Sequence, residues 1–230
     1  MTDVRLTLID GFELRYDGEP ARLPLGSQRL VAYLALHGRP LLRIHVAGTL
    51  WLHASESRSC SNLRTALWRL GGGRKSVVEA TTSHVGLSRE VVVDAHRMAT
   101  LARGLLADPA TAGGLESAEL VGDLLPDWYD DWVLLERERL RQLRMHGLEA
   151  LAEHAIREGR YGQAIDIALA AVQADPLRES AHRVLIRAHL AEGNAGVALR
   201  HYHEYRRLVG DALEIGPSHE LEQLVADVVA

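Results

Sequence analysis

Arg58, Ser61, Asn62, Thr65 and Arg69 recur every three or four residues, with Arg64 and Trp68 beside them. A helix over Ser55–Leu70 would gather all of these on one side. Such side chains read duplex DNA. Arginine can bond two acceptors on guanine, asparagine can bond adenine, and serine and threonine hydroxyls reach bases or phosphates. Cys60, Leu63, Leu67 and Leu70 make a narrow apolar stripe on the other side. Ser55 is suited to the N-cap and Glu56 to the positive helix end, and Gly71, Gly72 and Gly73 stop the helix. An ordinary amphipathic surface helix shares this pattern, so its meaning depends on the elements around it.

Those elements begin with strands. Val4, Leu6 and Leu8 alternate with polar residues, as do Phe12, Leu14 and Tyr16, with turns at Asp10-Gly11 and Asp17-Gly18. Arg22–Leu25 suits a short third strand. A helix from Ser27 directs Leu30, Val31, Leu34 and Ala35 inward and closes at Gly38. A second helix over Ile44–Leu52 buries Val46, Leu50 and Trp51. With Ser55–Leu70 as the third, the arrangement is helix-turn-helix. Val77–Thr81 and Val91–Asp94 then predict a hairpin, with Val85–Leu87 between them or within the return strand. A hairpin directly after a recognition helix is a wing. Its polar tip, including Thr82 and His84, can enter a minor groove or touch phosphate. Arg64, Arg74 and Lys75 suit phosphates, although Arg64 lies nearer the core side and an internal ion pair would equally account for it.

Charge divides the chain. The whole carries a formal charge of −5, but residues 1–110 hold 14 basic against 10 acidic residues and residues 111–230 hold 12 against 21. Arg39–Lys75 contains seven basic residues and one acid, Glu56. Such a local patch matters more to a nucleic acid than the overall charge does. Lys75 is the only lysine. That bias fits arginine's grip on phosphate and guanine, and it equally fits codon bias across the whole length.

The acidic half is helical. His96–Leu106 places Met98, Leu101 and Leu105 on one face, and Asp108–Gly114 is a loop, so the domain boundary falls at Asp94–His96: residues 1–95, then 96–230. Leu124–Trp132 carries three acids and three aromatics ahead of a helix over Val133–Glu158, where Gly147 marks a bend. Glu158-Gly159-Arg160-Tyr161-Gly162-Gln163-Ala164 is echoed 34 residues later by Glu192-Gly193-Asn194-Ala195-Gly196-Val197-Ala198. That is the tetratricopeptide period. Repeats of this kind bury their faces by stacking on neighbours. The expected fold class is therefore α+β and mostly α: a winged helix-turn-helix with a small antiparallel sheet, then an all-α tetratricopeptide-like domain.

Val46-Ala47-Gly48-Thr49-Leu50-Trp51 and Asn62-Leu63-Arg64-Thr65-Ala66-Leu67-Trp68-Arg69-Leu70 resemble the OmpR-type winged helix of the SARP family, the Streptomyces antibiotic regulatory proteins. The chain departs from that pattern in its three glycines after the helix and in the return His84-Val85-Gly86-Leu87. Leu125–Trp132, Glu136–Arg141, Asp175–His182, Ala188–Asn194 and Leu213–Ser218 resemble the bacterial transcriptional activator domain that follows the winged helix in this family. The resemblance implies a transcriptional activator that binds double-stranded DNA at direct repeats, pairs as a homodimer there, and recruits RNA polymerase. A tetratricopeptide-like scaffold whose winged helix binds protein is the alternative.

Other chemistries lack their residues. Gly71-Gly72-Gly73-Arg74-Lys75-Ser76 misses the Gly-Lys pair and spacing of a phosphate loop. The twelve histidines form no His-Glu-x-x-His motif, and a single cysteine builds no cysteine-rich zinc site. Cys60 falls on the apolar stripe with no evident base. No catalytic residue, cofactor or metal is expected. One cysteine, no membrane-length apolar run and no signal-peptide pattern over Met1–Gly11 fit a cytoplasmic protein.

Overall fold

Alternation at the N-terminus becomes paired strands in the computed structural model, which describes residues 3–71, 76–112 and 117–229. β1 (Val4–Thr7) runs antiparallel to β2 (Glu13–Tyr16), and β2 to β3 (Glu19–Pro20). Asp17 and Gly18 both take positive φ, 51° and 86°, which is the two-residue turn that matches strand twist. The third strand is thus Glu19–Pro20 and not Arg22–Leu25. Leu25 instead opens α1 (Leu25–His37), because Pro24 accepts the Ser27 and Gln28 N–H bonds. Gly38 ends α1 in the left-handed region, as expected.

β4 (Leu41–Leu42) leads directly into α2 (Arg43–Leu50), followed by α3 (Glu56–Leu70). The wing is β5 (Val78–Ala80) with β6 (His84–Leu87). β7 (Val91–Val93) is not its return strand. It joins the N-terminal sheet, parallel to β1, giving the order β3-β2-β1-β7. Val91 and Val93 bury on the side that Val4 and Leu6 bury, so alternation alone could not say which sheet receives them.

The chain forms two compact units. The first joins Met1–Arg97 to Gly122–Leu140, so the aromatic segment packs with the winged helix. Leu125 N–H donates to the Leu8 carbonyl at 2.9 Å, and Asp10 N–H to that of Asp123 at 2.8 Å. A Cβ on Gly122 would stand 2.4 Å from the Ile9 side chain, so this crossing needs glycine. Phe12 stacks on Trp128, Trp128 meets Trp132 edge-on, and Trp132 meets Tyr33 edge-on at 5.1 Å. Asp130 pairs with Arg29. Arg137, on α5 (Asp131–Arg157), donates to the Leu124 carbonyl at 2.7 Å, to that of Trp128 at 2.8 Å, and to that of Leu125.

The second unit comprises Met98–Val121 and Arg141–Ala230. α4 (Asp94–Ala107) enters it, and a Cβ on Gly147 would lie 3.3 Å from Ala102. Gly147 therefore serves close helix approach, and α5 runs unbroken through it. α6 (Tyr161–Ala174), α7 (Glu179–Glu192), α8 (Ala195–Leu213) and α9 (His219–Val229) follow. The repeat holds closely in backbone geometry. Gly159 and Gly193 are both left-handed, and Arg160 and Asn194 take nearly equal angles, φ −88° with ψ 61° and φ −91° with ψ 56°. Their N–H groups bond carbonyls five residues back, Ala155 and His189. Ala164 and Ala198 are fully buried, as close helix pairing requires.

His182 is buried in this unit. Its Nε2 is 2.8 Å from the Pro176 carbonyl, which can only accept, so Nε2 holds the proton. Nδ1 must then accept from His201 Nε2 at 3.0 Å. Burial depresses both imidazoles, that of His201 to about 4.

Two outcomes follow from this packing. An Arg137→Met variant should lose about 3 kcal/mol or more, because three carbonyls lose a charged donor, read as a lowered urea midpoint. Unfolded, His201 takes up its proton near 6.5 and folded only near 4, so stability should fall as pH drops through that window. His201→Gln, which keeps a donor for His182, should flatten that fall, and an unchanged pH profile of unfolding would contradict the depressed proton affinity of the buried His201 imidazole.

Candidate nucleic-acid interface

α3 is held by one face. Ser59, Leu63, Ala66 and Leu70 are buried, and Cys60 and Leu67 pack at the margin of the same core. Each buried leucine contributes about 1.5–3 kcal/mol. Spacing identified Leu63 and Leu70 but passed over Ser59 and Ala66. Their small side chains permit close approach, and the Ser27 hydroxyl donates to the Ala66 carbonyl at 3.3 Å. Ser55 occupies the N-cap position without a side-chain bond, contrary to expectation; the Ser59 hydroxyl instead bonds the Glu56 carbonyl within the first turn.

The opposite face is open. Arg58, Ser61, Arg64, Thr65, Trp68 and Arg69 are exposed, Trp68 by 80%, and Asn62 is half-buried. Among the described residues, Arg58, Arg64 and Arg69 have no ion-pair partner. Arg64 is thus solvent-facing and does not make the internal pair that its position allowed. Some arginines elsewhere are engaged, Arg178 with Glu149 at 2.6 Å and Arg187 with Glu153 at 2.6 Å; α3 differs in carrying three on a single helix face that are unpaired among the described residues. The Thr65 hydroxyl donates to the Ser61 carbonyl at 3.1 Å, leaving its oxygen to accept. Arg74 and Lys75 lie outside the described residues.

The wing tip is a closed turn. Thr81 N–H donates to the His84 carbonyl at 2.9 Å, and His84 N–H to the Thr81 hydroxyl at 3.0 Å. Thr82 and His84 are exposed, and His84 Nδ1 sits 2.9 Å from the Ser83 hydroxyl, so Nε2 faces away from that bond. Arg43, which no periodicity marks, reaches this turn: its guanidinium donates to the Thr81 carbonyl at 3.1 Å. A contact across 38 residues leaves no trace in local spacing.

Among the described residues, no three histidine, cysteine or acidic side chains gather as metal ligands, and no helix is long and apolar enough to cross a membrane. The site offers unneutralised guanidinium groups, amide and hydroxyl groups, and an exposed indole. That chemistry recognises a polyanion bearing hydrogen-bonding edges.

Comparison with known proteins bears on this arrangement. The bacterial transcriptional activator domain model matches residues 82–229, more than half of the chain. The chain is 25% identical over 228 residues to Regulatory protein AfsR of Streptomyces griseus, covering 93% of this chain and 23% of AfsR, so it spans less than a quarter of that relative. The structure of Mycobacterium tuberculosis EmbR, determined in complex with a low affinity phosphopeptide, matches with a TM-score of 0.80 at 22% identity, over 100% of this chain and 65% of that one. At this identity the likeness to EmbR is one of fold. The chain belongs to the bacterial transcriptional activator domain family, in the arrangement of SARP-type transcriptional regulators, a winged helix followed by a helical domain.

Proposed function

We propose that this chain is a sequence-specific DNA-binding transcriptional regulator that lays α3 in the major groove. The observation that carries this reading is the set of three exposed arginines on α3, none neutralised among the described residues, on a helix whose other face is buried. Arg58, Asn62, Thr65 and Arg69 read base edges. Arg64, Arg74 and Lys75 hold phosphates and set register, Ser61 and Trp68 contact the groove wall, and Thr82 and His84 meet the backbone or the adjacent minor groove. Family membership supports the finer points. The regulator acts in the cytoplasm as an activator, two protomers pair on direct repeats, and the helical second unit contributes the surface for RNA polymerase.

Each good bidentate base contact discriminates by about 1–3 kcal/mol. Arg69→Ala should therefore weaken binding to the preferred promoter fragment by about 5- to 150-fold and relax selectivity at one base pair. Affinity of the parent should fall with salt with a slope of about −2 to −3 on log scales, if Arg64, Arg74 and Lys75 each neutralise a phosphate. Fluorescence anisotropy with labelled duplexes measures both. Salt-insensitive binding, or an Arg69→Ala variant as tight and as selective as the parent, would count against the reading and favour the protein-scaffold alternative.

A further inference from the structure

Four consecutive residues, the last three before α2 and its first, follow the wing from base to tip. A Cβ on Gly86 would lie 3.3 Å from Pro40 Cα, so β6 presses directly on that proline. Leu41 pairs with Val85 and Leu42 with His84. Arg43 N–H then donates to the Ser83 carbonyl at 2.9 Å, and its guanidinium to the Thr81 carbonyl at 3.1 Å. Arg43 is also the first residue of α2, the helix that packs against α3. The tip is otherwise bonded only within itself among the described residues, through Thr81, Ser83 and His84. The link from the tip to the helix pair therefore ends at one residue, Arg43, whose backbone N–H holds Ser83 and whose guanidinium, the part a substitution removes, holds Thr81.

We infer that Arg43 is a positioning residue for DNA recognition, fixing the wing tip at a set distance from α3 so that the two elements engage a duplex together. This rests on the DNA-binding reading above. Two elements joined by a rigid tie lose little conformational freedom when both touch one ligand, whereas a loose wing must be ordered at each encounter. Arg43 acts through carbonyl oxygens of the tip. Its effect therefore depends on a donor at that place more than on a positive charge, and it is expressed through His84 and Thr82.

A double-mutant cycle with the full chain tests this, with anisotropy on the preferred duplex as the readout. His84→Ala should weaken binding by about 3- to 10-fold in the parent, the size of one lost hydrogen bond, and by almost nothing in an Arg43→Ala background. Arg43→Gln, which keeps an N–H donor and removes the charge, should recover most of the Arg43→Ala loss and leave the salt slope unchanged. Thermal unfolding of each variant identifies any general loss of stability, and amide exchange at Thr81–His84 should quicken in Arg43→Ala even where the melting temperature does not move. Additive effects of His84→Ala and Arg43→Ala would overturn the inference, as would rescue by Arg43→Lys but not by Arg43→Gln, which would make Arg43 a phosphate contact. Absence of duplex binding by the parent would instead refute the DNA-binding reading itself.

Discussion

An arginine-bearing helix can be presented to solvent only if its other side is secured, and on α3 that security is narrow. Leu63 and Leu70 supply the apolar area, while Ser59 and Ala66 supply closeness. Exposed guanidinium groups add nothing to this anchorage, since surface pairs would contribute little and none is made among the described residues. The polar face is therefore free of structural duty. Its arginines, its half-buried Asn62 and its largely exposed Trp68 are open to solvent.

The second constraint is that the winged helix does not complete its own core. Leu124, Leu125 and Val133 are buried among its residues, and Trp128 and Trp132 connect Phe12 to Tyr33. Arg137 and the Arg29–Asp130 pair fasten that segment in place. These contacts fasten the first turns of α5 to the body that carries α3.

Period and punctuation made much of this readable from sequence. Strand alternation at Val4–Leu8, the helical stripe of α3 and the 34-residue echo at Gly159 and Gly193 are local signals, and each has a local structural result. Non-local pairings were not readable. Val91–Val93 has the same alternation whether it closes the wing or joins β1, and only the register with Val4–Leu6 distinguishes them. The Leu124–Trp132 segment reads as the prelude to a helix, and nothing in its spacing names Phe12 or Tyr33 as neighbours. Gly147 looked like a bend because glycine weakens helices, yet here the missing side chain makes room for Ala102. At the interface, residue types marked Arg58, Asn62 and Arg69, whereas Arg43 works through backbone carbonyls that carry no sequence identity.

The proposed reading of bases by the outer face of α3 can be measured by selecting genomic fragments with the purified protein and sequencing them beside fragments selected by Arg69→Ala. Base reading by α3 gives a recurring base pattern, arranged as direct repeats, with information lost at one position per half-site in the variant. Fragments retained without regard to sequence, or an identical pattern from both proteins, would contradict it.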